Sequence, residues 1–222
     1  MIVYKYLSPE HLKDFKQRGS IHINTLHHLR SEYETIKDEF EGRHQLTFTS
    51  KERETTFTAN QFRRLMPSLK VDFEKGENTT IVFSKGTTVS SNTDTSDAYV
   101  FCTSLINSRK LNSKFKHASF YKILNPQKFA EILFLKMSER CEMNCYKIGR
   151  VTYNDKHIVF NEKKRQDFLN YKKDDFWKIC FTKPKRFSGE REFRMVFNPQ
   201  FWRTSLNPLD IDCPQLLDYC SF

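Results

Sequence analysis

Two glutamates one residue apart, Glu190 and Glu192, sit in the segment Phe181 to Phe197, among Lys183, Lys185, Arg186, Arg191 and Arg194. The apolar run Met195-Val196-Phe197 that follows predicts that a strand begins here. Side chains two apart on a strand share a face. Both carboxylates would then line one cleft, Arg191 and Phe193 would turn away, and Arg194 would continue the carboxylate face within reach of Glu192. Close carboxylates push their pKa values apart. One can then hold a fixed negative charge beside a developing cation while the other takes a proton as general base. The same pattern also suits a solvated edge face that discourages strand pairing.

Other constellations carry less. Asp155, followed by Glu162 and Lys164 after Ile158-Val159-Phe160, loosely mimics an Asp…Glu-x-Lys core in which acids hold Mg²⁺ and a lysine aids a water. Cys141 and Cys145 form one close cysteine pair, and Cys213 and Cys220 a looser one, with no C-x-x-C. Zinc binding is therefore not expected, and no metal site is assigned. The glycines form neither G-x-G-x-x-G nor G-x-x-x-x-G-K, which removes the dinucleotide fingerprint and the P-loop. Arg109 with Lys110, and Lys183 with Lys185 and Arg186, are basic clusters and the candidates for phosphate contact.

The 222 residues carry 37 Lys and Arg against 27 Asp and Glu, a formal charge of +10. Such an excess favours a polyanionic partner through counterion release. Aromatic residues make up 14% of the chain, 21 of them Phe, enough for a ring-packed core and for stacking on unpaired bases. Apolar runs such as Ile132 to Leu135 are far short of the ~20 residues of a membrane span. With no leader-like N-terminus, a cytoplasmic protein with reduced cysteines is expected.

The elements that must position these groups read as α+β in a single domain over 1–222. Residues 2–7 form a strand. Ser8 caps and Pro9 opens a helix that Gly19 ends, and residues 21–24 form a second strand. Residues 45–58 and 79–83 are strand-like, and residues 60–66 helical. The Ser/Thr/Asn/Asp-rich stretch around 84–97 reads as a mobile loop. Ala98 to Thr103 is a buried strand ending at Ser104, residues 119–124 another, and Pro126 to Met137 an amphipathic helix. Tyr146 to Tyr153 and His157 to Phe160 are expected to pair across Asn154-Asp155. A charged helix follows over 163–175, then strands at 177–181 and 191–197.

With these elements in order, the chain resembles the ADP-ribosyltransferase superfamily. Glu190-x-Glu192-x-Arg194 at a late strand resembles its E-x-E motif. The opening Tyr4-Lys5-Tyr6, the helix, and Gly19 to Asn24 resemble the N-terminal half of small bacterial members. Lys5 stands where those members carry His or Arg. Tyr99 to Ser104 resembles the strand bearing their Ser-Thr-Ser-like element, and Lys183 precedes the E-x-E as their late lysine does. The resemblance implies a mixed, mostly antiparallel split sheet with flanking helices. It implies NAD as co-substrate, Glu192 beside the ribose and Glu190 orienting or deprotonating the acceptor. Tyr4, Lys5, Tyr6, Asn24, Ser104 and Arg194 would be cofactor contacts, with Arg30, Phe120 and Tyr121 as further candidates. Together with the basic charge, it points to the antiphage toxin members that modify nucleic acid. Single-stranded RNA is then the expected partner, with an antitoxin protein as another. A Mg²⁺-dependent nuclease and a non-catalytic nucleic-acid-binding module are the competing readings.

Overall fold

The computed structural model describes residues 1–30, 41–65, 79–114, 119–170, 176–200 and 205–222. In chain order the elements are β1 (Val3–Leu7), α1 (Pro9–Arg18), β2 (Ser20–Thr25), β3 (Arg43–Thr49), β4 (Thr55–Thr58), α2 (Ala59–Leu65), β5 (Thr80–Phe83), β6 (Thr88–Asp94), β7 (Tyr99–Ser104), α3 (Arg109–Lys114) and β8 (Ser119–Ile123). They continue as α4 (Pro126–Ser138), β9 (Met143–Arg150), β10 (Thr152–Tyr153), β11 (His157–Asn161), α5 (Arg165–Asn170), α6 (Phe176–Cys180), β12 (Thr182–Lys183), β13 (Glu192–Pro199), β14 (Leu209–Asp212) and β15 (Cys220–Ser221). The architecture is mixed α+β. Among the described residues, no helix is long and apolar enough to cross a membrane.

The chain divides into two compact units. The first comprises Met1–Gly42, Ser96–Asn154 and Cys180–Phe222; the second comprises Arg43–Thr95 and Asp155–Ile179.

In the first unit eight strands form one sheet along β14-β2-β7-β1-β8-β15, with β13 joined to β7 and β9 to β13. Strand β13 pairs with β7 from Glu192↔Ser104 to Phe197↔Tyr99. The other edge of β7 is shared. β1 meets it at Tyr4↔Ser104, and β2 meets it at Asn24↔Val100 and Thr25↔Tyr99. The sheet is therefore split between β1 and β2, and Lys5 Nζ donates to the Cys102 carbonyl at 3.0 Å within the split.

Period-two alternation gives this sheet one apolar face. Val3, Ile21, Ile23, Phe101, Ile123, Phe193, Met195 and Phe197 pack with Phe15 of α1 and with Phe129, Leu133 and Met137 of α4. Phe15 stacks on Tyr121 with ring centroids 4.1 Å apart. Burying each such side chain contributes about 1.5–3 kcal/mol. Helix α1 is bounded as its sequence dictates. Ser8 accepts from the His11 N–H at 3.2 Å, and Gly19 takes φ +66° with its own N–H on the Phe15 carbonyl.

In the second unit β11 pairs in parallel with β3, and β3 antiparallel with β6; β4 pairs with β5. Phe48, Phe57, Phe62, Phe83 and Phe168 form its core.

Four expectations need correction. The stretch around 84–97 holds strand β6 from Thr88 to Asp94, because its β-branched threonines favour a strand and its hydroxyls find cross-strand partners, Thr47–Ser90 at 2.7 Å and Thr49–Thr88 at 3.1 Å. Tyr146 to Tyr153 and His157 to Phe160 do not form a hairpin: β9 pairs with β13 and β11 with β3, since each buries its apolar positions in a different core. Residues 176–180 are helical rather than extended; a short apolar run does not distinguish the two by period. Residues 45–58 are two strands, β3 and β4, not one. Within the expected helix over 163–175, residues 165–170 are helical and 171–175 lie outside the described residues.

Candidate active site

The polar face of the first unit's sheet holds the carboxylates. Register places Tyr4, Ser104 and Glu192 side by side on three neighbouring strands. Directly opposed residues project to one face, so these three share it. By alternation, Tyr6, Asn24, Cys102 and Arg194 lie on that face too.

Glu190 reaches the same place by a different route from the one the sequence suggests. It ends the 3-10 helix Lys185–Glu190, and β13 starts only at Glu192. Arg191 between them is left-handed at φ 47°, a conformation costing a non-glycine residue roughly 1–2 kcal/mol. Its carbonyl accepts from the Leu105 N–H at 2.8 Å, which holds the turn. The two carboxylates therefore converge through a left-handed turn and a shared cation, not through strand period.

That cation is Lys183. Its Nζ lies 2.7 Å from Glu190 Oε2 and 3.0 Å from Glu192 Oε2. Arg194 Nε donates to Glu192 Oε1 at 2.6 Å. The rest of the guanidinium grips both oxygens of Glu41, at 2.6 and 2.8 Å, and donates to the Cys180 carbonyl at 2.6 Å. Lys114 Nζ closes the other end on Glu190 Oε1 at 2.5 Å. The chain of contacts runs Glu41, Arg194, Glu192, Lys183, Glu190, Lys114, with alternating sign and three charges of each kind.

The network is closed from water at its centre. Arg194 is 0% exposed and Lys183 8%, and both glutamates of the motif are buried. Burial alone would push the Glu192 carboxyl up, but the charges of Arg194 and Lys183 outweigh it and hold the group well below the ordinary carboxylate range. Burial would lower Lys183, and the carboxylates Glu192 and Glu190 outweigh it, so its pKa is raised. Cys102, beside them, is pushed well up by burial and by Glu192. Glu192 is thus held toward its ionised form, with its oxygens directed by two cations. Its backbone N–H donates to the Tyr153 hydroxyl at 2.7 Å, and Ser104 Oγ donates to the Glu190 carbonyl at 2.8 Å.

Several residues named from sequence have other work. Arg194 is sealed against Glu41 and Glu192, so it orients the carboxylate and does not face a diphosphate. Lys5 alternates with Tyr4 and leaves from the other face, its Nζ 4.4 Å from the Phe101 ring centroid. The Tyr6 hydroxyl donates to the Ile106 carbonyl at 2.8 Å and accepts from the Ser108 N–H at 3.0 Å, anchoring the loop into α3. Arg30 donates to the carbonyls of Glu41 and Gly42 and so fixes the turn that presents Glu41. Tyr121 lies in the core. Lys183 is internal and leaves the phosphate-contact group, whereas Arg109, Lys110, Lys185 and Arg186 are exposed. Tyr4 and Phe120 remain on the polar face as an edge-on pair with centroids 5.9 Å apart, and Asn24 Oδ1 accepts from the Thr25 N–H at 3.2 Å.

Glu41, Lys114 and Tyr153 carry no motif and were not legible as site residues. Their only sequence signal is type, and the contacts span up to 153 residues of sequence. In the second unit the Glu162 carboxylate accepts from the backbone N–H groups of Lys51 and Glu52 at 3.0 and 2.6 Å, bonds that lower its pKa. It clamps a turn, which disfavours the nuclease arrangement with Asp155 and Lys164. No group of three or more potential metal ligands occurs among the described residues.

No protein-family model, curated protein or solved structure matches this chain.

Proposed function

We propose that this chain is an NAD-dependent ADP-ribosyltransferase acting on single-stranded nucleic acid, RNA in preference to DNA, as a toxin or phage-defence effector. The observation that carries the reading is the single row Tyr4, Ser104, Glu192 across adjacent strands, with Glu190 drawn to Glu192 by Lys183. These are the positions at which the E-x-E resemblance expects cofactor and catalytic groups.

Breaking the bond from nicotinamide to ribose builds positive charge on the sugar. A carboxylate already ionised and already oriented stabilises that charge without reorganising; Glu192 has this character. NAD would bring its nicotinamide against the Tyr4 and Phe120 rings and its ribose toward Ser104 and Asn24. Glu190 takes the acceptor's proton, a role worth roughly 10²–10⁴ in rate. Exposed Arg109, Lys110, Lys185 and Arg186 supply phosphate contacts.

The test incubates the protein with labelled NAD and single-stranded RNA, single-stranded DNA and cell protein, then separates the pools. Label on RNA, lost in a folded Glu192→Gln variant, supports the reading; undiminished labelling by that variant overturns the catalytic assignment. Expression of wild type, but not of Glu192→Gln, is expected to arrest growth.

A second reading is favoured by the closure of the network, in which both Glu192 oxygens already have cationic partners. There the chain binds nucleic acid without turnover, and the charges specify the sheet's register. RNA binding with no nicotinamide release would select it.

A further inference from the structure

Five members of the charge network have side chains at most 10% exposed: Glu41, Arg194, Glu192, Lys183 and Glu190. Lys114 differs, with its side chain 33% exposed. It is the last residue of α3, the helix that presents Arg109 and Lys110 to solvent. Residues four apart on a helix are surface neighbours, so Lys110 and Lys114 lie one turn from each other. Lys114 thus belongs to two surfaces at once: the basic face of α3 and, through Nζ at 2.5 Å from Glu190 Oε1, the carboxylate pair. The part-exposed Lys114 side chain stands between the buried Glu190 carboxylate and solvent, where the phosphate of a bound strand competes for it. Phosphate is a stronger competitor than a single carboxylate because it offers several acceptor oxygens.

We propose that Lys114 is a positioning residue that couples nucleic-acid binding to catalysis, moving from Glu190 to a phosphate when a strand lies along α3. This rests on the transferase reading. Without a strand, both oxygens of Glu190 accept from lysines, Oε1 from Lys114 and Oε2 from Lys183. Glu190 then has no oxygen directed at an acceptor. Departure of Lys114 frees Oε1, while Lys183 keeps Oε2 and the link to Glu192. The acceptor's lone pair then forms the new bond to the ribose C1′. The C1′–N bond breaks with its electron pair going to nicotinamide, and the acceptor proton passes to Glu190 Oε1. Atoms and charge balance with NAD and the acceptor alone. The device would restrain NAD loss to water until a substrate strand is in place.

The experiment measures nicotinamide release with and without a short single-stranded RNA, and RNA binding over a salt series, for wild type, Lys114→Met and Lys114→Arg. Wild type is expected to be stimulated by RNA about 10²-fold, the lower range for a general base. Lys114→Met is expected to release nicotinamide without RNA at a rate near the stimulated one, with RNA adding less than about twofold. The slope of log K against log salt should fall by about 0.7, one single-strand phosphate contact. Lys114→Arg, which keeps the charge, should retain most of the stimulation. Unchanged stimulation in Lys114→Met overturns the proposal, as does an unchanged salt slope. If wild type releases no nicotinamide under any condition, the transferase reading fails on its own. The slope then decides whether Lys114 meets a phosphate, and an unchanged slope still overturns that contact. Circular dichroism of each variant separates loss of fold from loss of coupling, and Lys114→Gln replaces Lys114→Met if the latter does not fold.

Discussion

Replacing Lys183 by Met keeps the length of the side chain and removes a cation that touches both motif carboxylates. Lys183 is buried, as are Glu190 and Glu192, so the lost attraction is not replaced by water. Removing one partner of a buried ion pair costs about 3–5 kcal/mol, and that is the loss expected at pH 7.5. The pH dependence is the sharper signature. In wild type the folded-state pKa of Glu192 lies below its unfolded value. Its contribution is therefore fully present above the ordinary carboxylate range and is lost only as pH falls through the depressed folded value. Lys183 has the opposite sign: its raised folded pKa keeps its contribution intact below the ordinary lysine value. Neither group titrates between pH 5.5 and 7.5. In Lys183→Met two buried carboxylates are left beside each other with Arg194 and Lys114 as their cations among the described residues, so acid is expected to relieve their repulsion. The loss of stability in the variant is therefore expected to shrink on going from pH 7.5 to 5.5. Urea titrations of both proteins at the two pH values give the difference directly. A loss below about 1 kcal/mol at pH 7.5, or a loss that does not shrink toward acid, would refute the argument that Lys183 neutralises a buried carboxylate pair.

Glu41→Gln breaks the two-oxygen grip on Arg194 and is expected to cost about 3 kcal/mol in urea titration, since a buried guanidinium loses its counter-charge; a loss under about 1 kcal/mol would mean Arg194 is held by Glu192 and the Cys180 carbonyl alone. Gly19→Ala puts a Cβ 2.2 Å from the Cys213 carbonyl oxygen at a residue with φ +66°, so strain and clash together are expected to lower stability by at least about 2 kcal/mol, read as a lowered Tm. Burial pushes the Cys220 thiol up to about 12, and alkylation at pH 8 should be more than about 10²-fold slower than in urea-unfolded chain; equal rates would show that this thiol is not shielded.

Local signals were legible where neighbouring residues alone decide the outcome. Ser8, Pro9 and Gly19 set both ends of α1, and the apolar run from Tyr99 set β7, because capping and burial on both faces need no distant partner. The α+β class followed from the mixture of such signals. The Glu190-x-Glu192-x-Arg194 pattern also marked a real cluster of charge. Polarity misled at 88–94, where hydroxyl side chains satisfy one another across strands, and period misled at 176–180, where five residues are too few to separate helix from strand.

Sequence by itself thus determined the ends of α1, the apolar strand β7, the excess of positive charge and the presence of paired carboxylates, all properties of adjacent residues. Tertiary structure decided what those carboxylates face. Only the pairing of β1 and β13 on β7 sets Tyr4, Ser104 and Glu192 in one row. Only the left-handed turn at Arg191 and the buried Lys183 bring Glu190 to Glu192. Lys183 looks like a surface cation in the sequence and becomes an internal one in the fold. A charge's role depends on its counter-charge and on exclusion of water, and both are supplied by residues as distant as Glu41, which no local pattern encodes.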